Sequence, residues 1–344
     1  SFNLVSPAES YCTNDTRPSF SWMPSSDDGA GLKEYMLRLE KDSYNTSFKI
    51  SKDSTRYTPS ADFALPSGSF TWYVRAMDSV GNFQYSEKRI LTIDLTAPQK
   101  CTLQTPADSG VIAFPTPEFS WNSSKDEASG LSHYELWIDN VINVDNLQVI
   151  KTAPSIPLKE GIHSWFVNAV DKAGNTAKSA VRTFFCDWDL PTTFSLIYPS
   201  EKITLKADSV FFKWNSSKDF GSGLLKYQLW VDGLLNWDNI KPPDTTATPK
   251  QFLTRGEHSW FIVALDRAGN KRQSNSEIKF NVTFPTGVDL HAGAQIPTDF
   301  MIYQNYPNPF NSTTTICYDI PRSSNVKLQI FNLDGQLVSV LINK

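Results

Sequence analysis

The chain has 344 residues, a formal net charge of −4, 13% aromatic residues and only four methionines. Its length accommodates about two to four domains of ordinary size. Near-neutral charge leaves no electrostatic footprint for nucleic acid or an anionic membrane, and no run of about 18 apolar residues is present to span a bilayer.

Ser1 opens the chain without an initiator methionine or the apolar core of a signal peptide, which reads as a processed chain or a fragment. From there the sequence repeats. PSFSWMPSSDDGAGLKEYMLRL (18–39) aligns with PEFSWNSSKDEASGLSHYELWI (117–138) and VFFKWNSSKDFGSGLLKYQLWV (210–231). GSFTWYVRAMDSVGN (68–82) aligns with GIHSWFVNAVDKAGN (161–175) and GEHSWFIVALDRAGN (256–270). The first tryptophans, Trp22, Trp121 and Trp214, are 99 and 93 residues apart; the second, Trp72, Trp165 and Trp260, are 93 and 95 apart. Two landmarks in one order at nearly one period mark three copies of one unit.

Within each unit the pattern is that of strands. The stretches around the second tryptophan place Trp, Val or Ile, and Ala on one face by simple alternation. YMLRL, YELWI and YQLWV alternate likewise with Tyr and Leu inward, and Ser-Gly, Gly-Asn and Pro interrupt the chain about every ten residues. No segment shows a capped helical period. The expected fold class is therefore all-β: tandem antiparallel β-sandwiches of about seven strands each in a semi-rigid rod, every sandwich closing over its own tryptophan pair. The units span residues 1–96, 97–190 and 191–284, joined by the short proline-ended linkers DLTAP (94–98) and DWDLP (187–191). Residues 285–296 form a polar linker, and 297–344 form a small C-terminal β domain.

The repeat motifs, W-x-S-S-x-D followed by S-G-L-x-x-Y-x-L, and W-x-V-x-A-x-D-x-A-G-N, resemble the immunoglobulin-like or fibronectin type III-like repeats of bacterial surface and secreted proteins; unit 1 departs with GAGL and DSVGN. The tail carries Asn305, Tyr306, Pro307, Asn308, Pro309, Phe310 and Asn311, then Thr315-Ile316, Ile320-Pro321, Val326, Leu328, Ile330, Phe331-Asn332 and Gly335. This pattern is similar to the C-terminal sorting domain of type IX secretion cargo. The resemblance implies handling by the type IX machinery, export across the outer membrane and an extracellular or outer-surface location. Pro307 and Pro309 fix φ and remove two backbone donors, excluding helix and central strand, while Phe310 is expected to anchor the segment and LDG (333–335) to form a hairpin turn. That domain normally continues through further strands, so a partial sheet with an open edge, and self-association through it, are expected at Lys344.

Two constellations stand out as candidate sites. Loop carboxylates gather at one end of each unit: Asp94, Asp126 and Asp171 at one junction, Asp187 or Asp189 with Asp219 and Asp266 at the next. Either set could hold a structural calcium, or the side chains could simply shape turns. No other cofactor is implied. Trp137, Phe166, Trp230 and Phe261 fall out of phase with the core and, if their strands adjoin, form an outer aromatic patch for a polysaccharide or protein partner, unless segments 140–160 and 233–253 cover it. His163 and His258 occupy a position held by Phe70 in unit 1, which points to packing. No nucleophile, P-loop or metalloprotease motif occurs. The function expected is that of a non-enzymatic exported stalk, adhesion or matrix component; the alternative is the spacer or carbohydrate-binding region of a larger exported hydrolase.

Overall fold

The computed structural model describes residues 2–42, 44–251, 253–283, 299–311 and 313–343. Its regular structure among these is strands and two 3-10 turns, Ala61–Phe63 and Ala207–Ser209. The linker expected at 285–296 lies outside them. The chain divides into two compact units, Ser1–Trp188 and Asp189–Lys344.

The first unit contains two sandwiches of the same design. In the first sandwich, Leu4–Ser6, Phe20–Trp22 and Arg56–Tyr57 form one sheet. The facing sheet runs Tyr11–Thr13, Arg89–Ile93, Gly68–Asp78, Leu32–Lys41, Tyr44–Ser51, with Phe83–Tyr85 added beside Gly68–Asp78. The second sandwich repeats this with Leu103–Thr105, Phe119–Trp121 and Lys151–Thr152 against Gly110–Ile112, Arg182–Cys186, Gly161–Asp171, Leu131–Ile138 and Val141–Leu147, plus Thr176–Lys178. A third copy lies in the other unit. There Leu196–Tyr198, Phe212–Trp214 and Thr246–Ala247 face Thr204–Lys206, Ile278–Thr283, Gly256–Asp266, Leu224–Val231 and Leu234–Ile240, with Lys271–Gln273 alongside.

The sequence pattern suggested about seven antiparallel strands per sandwich; there are nine, and the larger sheet is mixed. The second strand of each copy runs parallel to the last, as Tyr11–Thr13 does to Arg89–Ile93, because the chain crosses from one sheet to the other after its first strand. Three-residue strands at sheet edges leave too short a hydrophobic pattern to be read in advance.

Alternation sets the core. Leu32–Lys41 buries Tyr35, Leu37 and Leu39 completely, while Gly68–Asp78 buries Phe70, Trp72, Val74 and Ala76. The two tryptophans of each copy share one core: Trp22 with Trp72, Trp121 with Trp165, Trp214 with Trp260. Each meets another ring at a steep angle, edge-on in all pairs but the tilted Phe212–Trp260. Phe20–Trp72 and Phe119–Trp165 lie at 5.0 Å between centroids, Phe212–Trp260 at 4.9 Å, and Trp22, Trp121 and Trp214 pack on Tyr35, Tyr134 and Tyr227 at 5.4–5.7 Å. These separations suit the quadrupoles of aromatic rings, and the same pair of contacts recurs in all three copies. Cys101 and Cys186 sit as free thiols in the second core, where burial pushes each up to about 11.

In the tail, Met301–Ile302 pairs with Tyr318–Asp319, Tyr306–Asn311 with Thr313–Thr315, and Lys327–Phe331 with Leu337–Asn343. Tyr306–Asn311 is extended and has one strand neighbour, as two prolines without N–H groups require. Its register is irregular between Tyr306 and Asn311. Asn332–Gln336 closes the last hairpin: Asn332 Oδ1 accepts from the amides of Asp334 and Gln336, and Gly335 takes φ +77°.

Candidate functional site

The repeat motifs resolve into one loop device used three times. The Tyr hydroxyl of each Tyr-x-Leu strand accepts the backbone N–H of the serine three residues beyond the first tryptophan: Tyr35 from Ser25 (2.7 Å), Tyr134 from Ser124 (2.8 Å), Tyr227 from Ser217 (2.8 Å). The loop that follows is folded by its aspartate. Asp126 Oδ1 accepts from the amides of Ala128, Ser129 and Gly130, and Asp27 and Asp219 reach Gly31 and Gly223 in the same way. In the D-x-x-G-N turn, Asp78 Oδ1 accepts from Val80, Gly81 and Asn82, and Asp171 Oδ1 accepts from Ala173 and Asn175. The glycine of this turn needs φ near +90° (Gly174, +91°), which a side chain would oppose. A backbone bond from Lys172 N to Gly130 O ties the two loops together, as Ser79 N to Gly31 O and Arg267 N to Gly223 O do in the sister copies.

Between the first and second sandwiches these loops receive the linker. Asp94 is fully buried. Its Oδ1 accepts from Thr96 N (2.9 Å) and Thr96 Oγ1 (2.6 Å), its Oδ2 from Ser129 N (3.0 Å), and its carbonyl oxygen from Asn175 Nδ2 (2.9 Å). Asn175 Nδ2 spends its second hydrogen on Asp171 Oδ2, and its Oδ1 accepts from Asn14 Nδ2 of the first sandwich. Asn14 N donates to Ala173 O. Burial alone would raise the Asp94 carboxyl, but hydrogen bonds from Ser129 and Thr96 outweigh it and hold the group below the usual carboxylate range. Asp78 behaves alike: desolvation opposes ionisation, and the bonds from Asn82, Gly81 and Val80 prevail.

The fold thus brings Asp94, Asp126 and Asp171 together, with one oxygen of each within 4.8 Å of the others. Calcium takes six to eight oxygen ligands. Among the described residues, five of the six oxygens here already accept loop donors. The donors form a hydrogen-bonded clasp around the three carboxylates. In the third sandwich, Asp219 and Asp266 fold the corresponding loops through Gly223 and Asn270. Asp189 is exposed; the counterpart of Asp94 is Asp187, buried directly after the strand Arg182–Cys186, its amide donating to Ile112 O as that of Asp94 donates to Thr13 O.

The aromatic pairs adjoin as their phase predicts. Trp137 stands opposite Phe166 and Trp230 opposite Phe261, stacked at 5.4 and 5.7 Å between centroids. They are not open to solvent: Phe166 is buried and the other three are half-buried. Lys178 Nζ lies 3.7 Å over the Phe166 ring, and Trp137 Nε1 donates to Glu135. In the second sandwich this lysine sits on the short strand Thr176–Lys178 beside Gly161–Asp171. Segment 140–160 supplies the edge strand Val141–Leu147 instead of a lid, and 233–253 supplies Leu234–Ile240. His163 and His258 are buried, each between an aspartate and a carbonyl: Nδ1 to Asp139 at 2.7 Å and Asp232 at 2.6 Å, Nε2 to Lys159 O and Thr254 O at 2.8 Å. Each imidazole thereby joins two loops.

In the tail, Asn305 Nδ2 donates to Thr314 Oγ1 and Asn308 is exposed. The side chains of Tyr306, Pro307, Pro309, Phe310 and Asn311 lie outside what the structure describes, and with them the expected anchoring by Phe310. Residues 304–343 match the family model of the secretion system C-terminal sorting domain. The tail is a sorting domain. As the address of type IX secretion, this sorting domain directs the protein to the cell surface or the extracellular space. Among the described residues no helix is long and apolar enough to cross a membrane.

No curated protein matches the sequence. Among solved structures, the fibronectin(III)-like modules of Clostridium thermocellum CbhA are similar at 15% identity, over 54% of this chain and 94% of theirs, with a TM-score of 0.42. The FN1–FN3 domains of chicken CNTN1 are similar at 12% identity, over 81% of this chain and 97% of theirs, with a TM-score of 0.33. Each sandwich sets three short strands against a sheet built on the two long tryptophan- and tyrosine-bearing strands.

Proposed function

We propose that this exported protein is a non-enzymatic stalk or adhesion component. Its three sandwiches, at 1–96, 97–190 and 191–284, serve as spacers in series, and the sorting domain at 297–344 delivers them. One observation carries the reading: the ionisable groups gathered in the loops are already committed to the fold. The loop carboxylates hold backbone amides, and both buried histidines are fixed between an aspartate and a carbonyl. A catalytic base must reach its substrate proton, and both histidines are buried with each ring nitrogen already bonded. The acidic junction belongs to the same proposal as a linker clasp formed without calcium. Half-buried Trp137 and Trp230, stacked on Phe166 and Phe261, offer no open sugar platform, which weighs against the carbohydrate-binding alternative.

Cells displaying the full chain are to be compared with cells displaying an unrelated domain of similar size in place of residues 1–283. Attachment to polysaccharide-coated and abiotic surfaces is expected to fall in the second strain, while the purified chain releases no product from polysaccharide or peptide substrates. Product release, or equal attachment by both strains, overturns the reading.

A further inference from the structure

On the outer face of the second sandwich, His133 and Glu135 lie two residues apart on Leu131–Ile138 and so share one side of the sheet, opposite inward Tyr134 and Leu136. Asp145 stands beside them on the neighbouring antiparallel strand Val141–Leu147. One ligand atom of each residue lies within 4.8 Å of the other two, and His133 Nε2 is 3.7 Å from Asp145 Oδ1. We propose that these three side chains form a binding site for a divalent transition-metal ion of the zinc type.

Distances support this first. Zinc bonds of about 2.0–2.2 Å at tetrahedral angles separate neighbouring ligand atoms by about 3.4 Å, so the His133–Asp145 pair needs a shift of only a few tenths of an ångström. Imidazole nitrogen with carboxylate oxygens suits zinc and its neighbours, whereas calcium takes oxygens alone and more of them.

A supporting shell is also in place. Nδ1 of His133 lies 3.0 Å from Ser132 Oγ, which leaves Nε2 as the nitrogen beside Asp145. Glu135 Oε2 accepts from Trp137 Nε1 (2.8 Å) and Asn168 Nδ2 (3.0 Å), fixing the carboxylate while Oε1 takes no donor among the described residues. Metal-ligating histidines and carboxylates are oriented by bonds of this kind.

The third sandwich shows what the position accommodates. There the equivalent residues are Lys226, Gln228 and Asp238, and the Lys226 ammonium lies 2.9 Å from both Asp238 oxygens while Gln228 donates to one of them. A covalently supplied cation occupies the place. In the second sandwich lysine is replaced by histidine and glutamine by glutamate, so the built-in cation is gone and a second carboxylate has been added. A metal dication restores the balance. Three protein ligands leave at least one coordination position for water or an outside ligand.

The test is zinc chloride titrated calorimetrically into the full chain at pH 7.5, with C317S as background to remove the one exposed thiol. One zinc site is expected, weakened more than tenfold in H133K, which installs the residue the third sandwich already tolerates, and likewise in E135Q. D94N, at the acidic junction, is expected to bind as the parent does. Circular dichroism and melting of H133K establish that it folds, and E135Q carries the test should it not. Equal zinc binding by parent, H133K and E135Q, or no zinc binding by the parent, overturns the proposal.

Discussion

Tyr134 does two jobs with one side chain. Its ring packs on Trp121 in the core, and its hydroxyl accepts the buried amide of Ser124. Phenylalanine would keep the first and lose the second, leaving a buried N–H without a partner at a cost of about 1–3 kcal/mol. Y134F is therefore expected to lower stability by that amount in chemical denaturation. Y35F is expected to lose less, because the Ser25 amide it serves is only partly buried and water can replace the hydroxyl. Equal losses would mean that ring packing, not the hydroxyl, is what these tyrosines contribute. The core indoles carry a cost of their own: Nε1 of Trp22, Trp72, Trp121, Trp165 and Trp214 is buried without a hydrogen-bond partner among the described residues, and edge contacts with neighbouring rings offset part of it.

Loops and linker act together at the scale of elements. Asp94 receives N–H groups from its own linker and from the Ser129 loop, and Asn175 bridges linker and turn, so one carboxylate and one amide, together with the bonds of Asn14, join the first two sandwiches. The ionised form of Asp94 is the one these donors favour, and its folded value lies below the ordinary one. The sign follows: the contribution is complete above the unfolded carboxylate value of about 3.9, and it is lost as pH falls through the lower folded value. Melting of the 1–188 unit is expected to drop in that acid range for the parent, and to be lower but flatter with pH in D94N. Addition of calcium is expected to leave the parent's melting temperature where chelator leaves it; a rise abolished by D94N would show that an ion binds at this junction.

For the whole molecule, the sorting domain and the sandwiches divide the work. The sandwiches bury their tryptophan pairs, whereas the tail leaves Phe331, Leu333, Leu337, Val338 and Leu341 exposed in and around its last two-stranded sheet. Destination resides in the tail. Deleting residues 299–344 is expected to retain the protein inside the cell without lowering the melting temperature of the first two sandwiches. Immunoblots of surface, medium and cell fractions read the first effect, and calorimetry of the purified chains reads the second. Undiminished export of the shortened chain would detach delivery from this domain.

The sequence by itself determined the all-β class, the threefold repeat, the inward residues of the long strands and the identity of the tail, because a period-two pattern and a repeated tryptophan pair are properties of the chain alone. It also placed Asp94, Asp126 and Asp171 at one junction, since loops at one end of a sandwich meet the linker entering it. Only the tertiary structure decided what those carboxylates touch, and it showed that the counterpart of Asp94 is Asp187, not Asp189. Folding also turned the Trp137–Phe166 pair into a half-buried stack, and it gathered His133, Glu135 and Asp145 from two strands of a hairpin. Such outcomes depend on which backbone amides and neighbouring side chains reach a given oxygen or ring within about 3 to 4 Å, and a linear pattern does not carry distances.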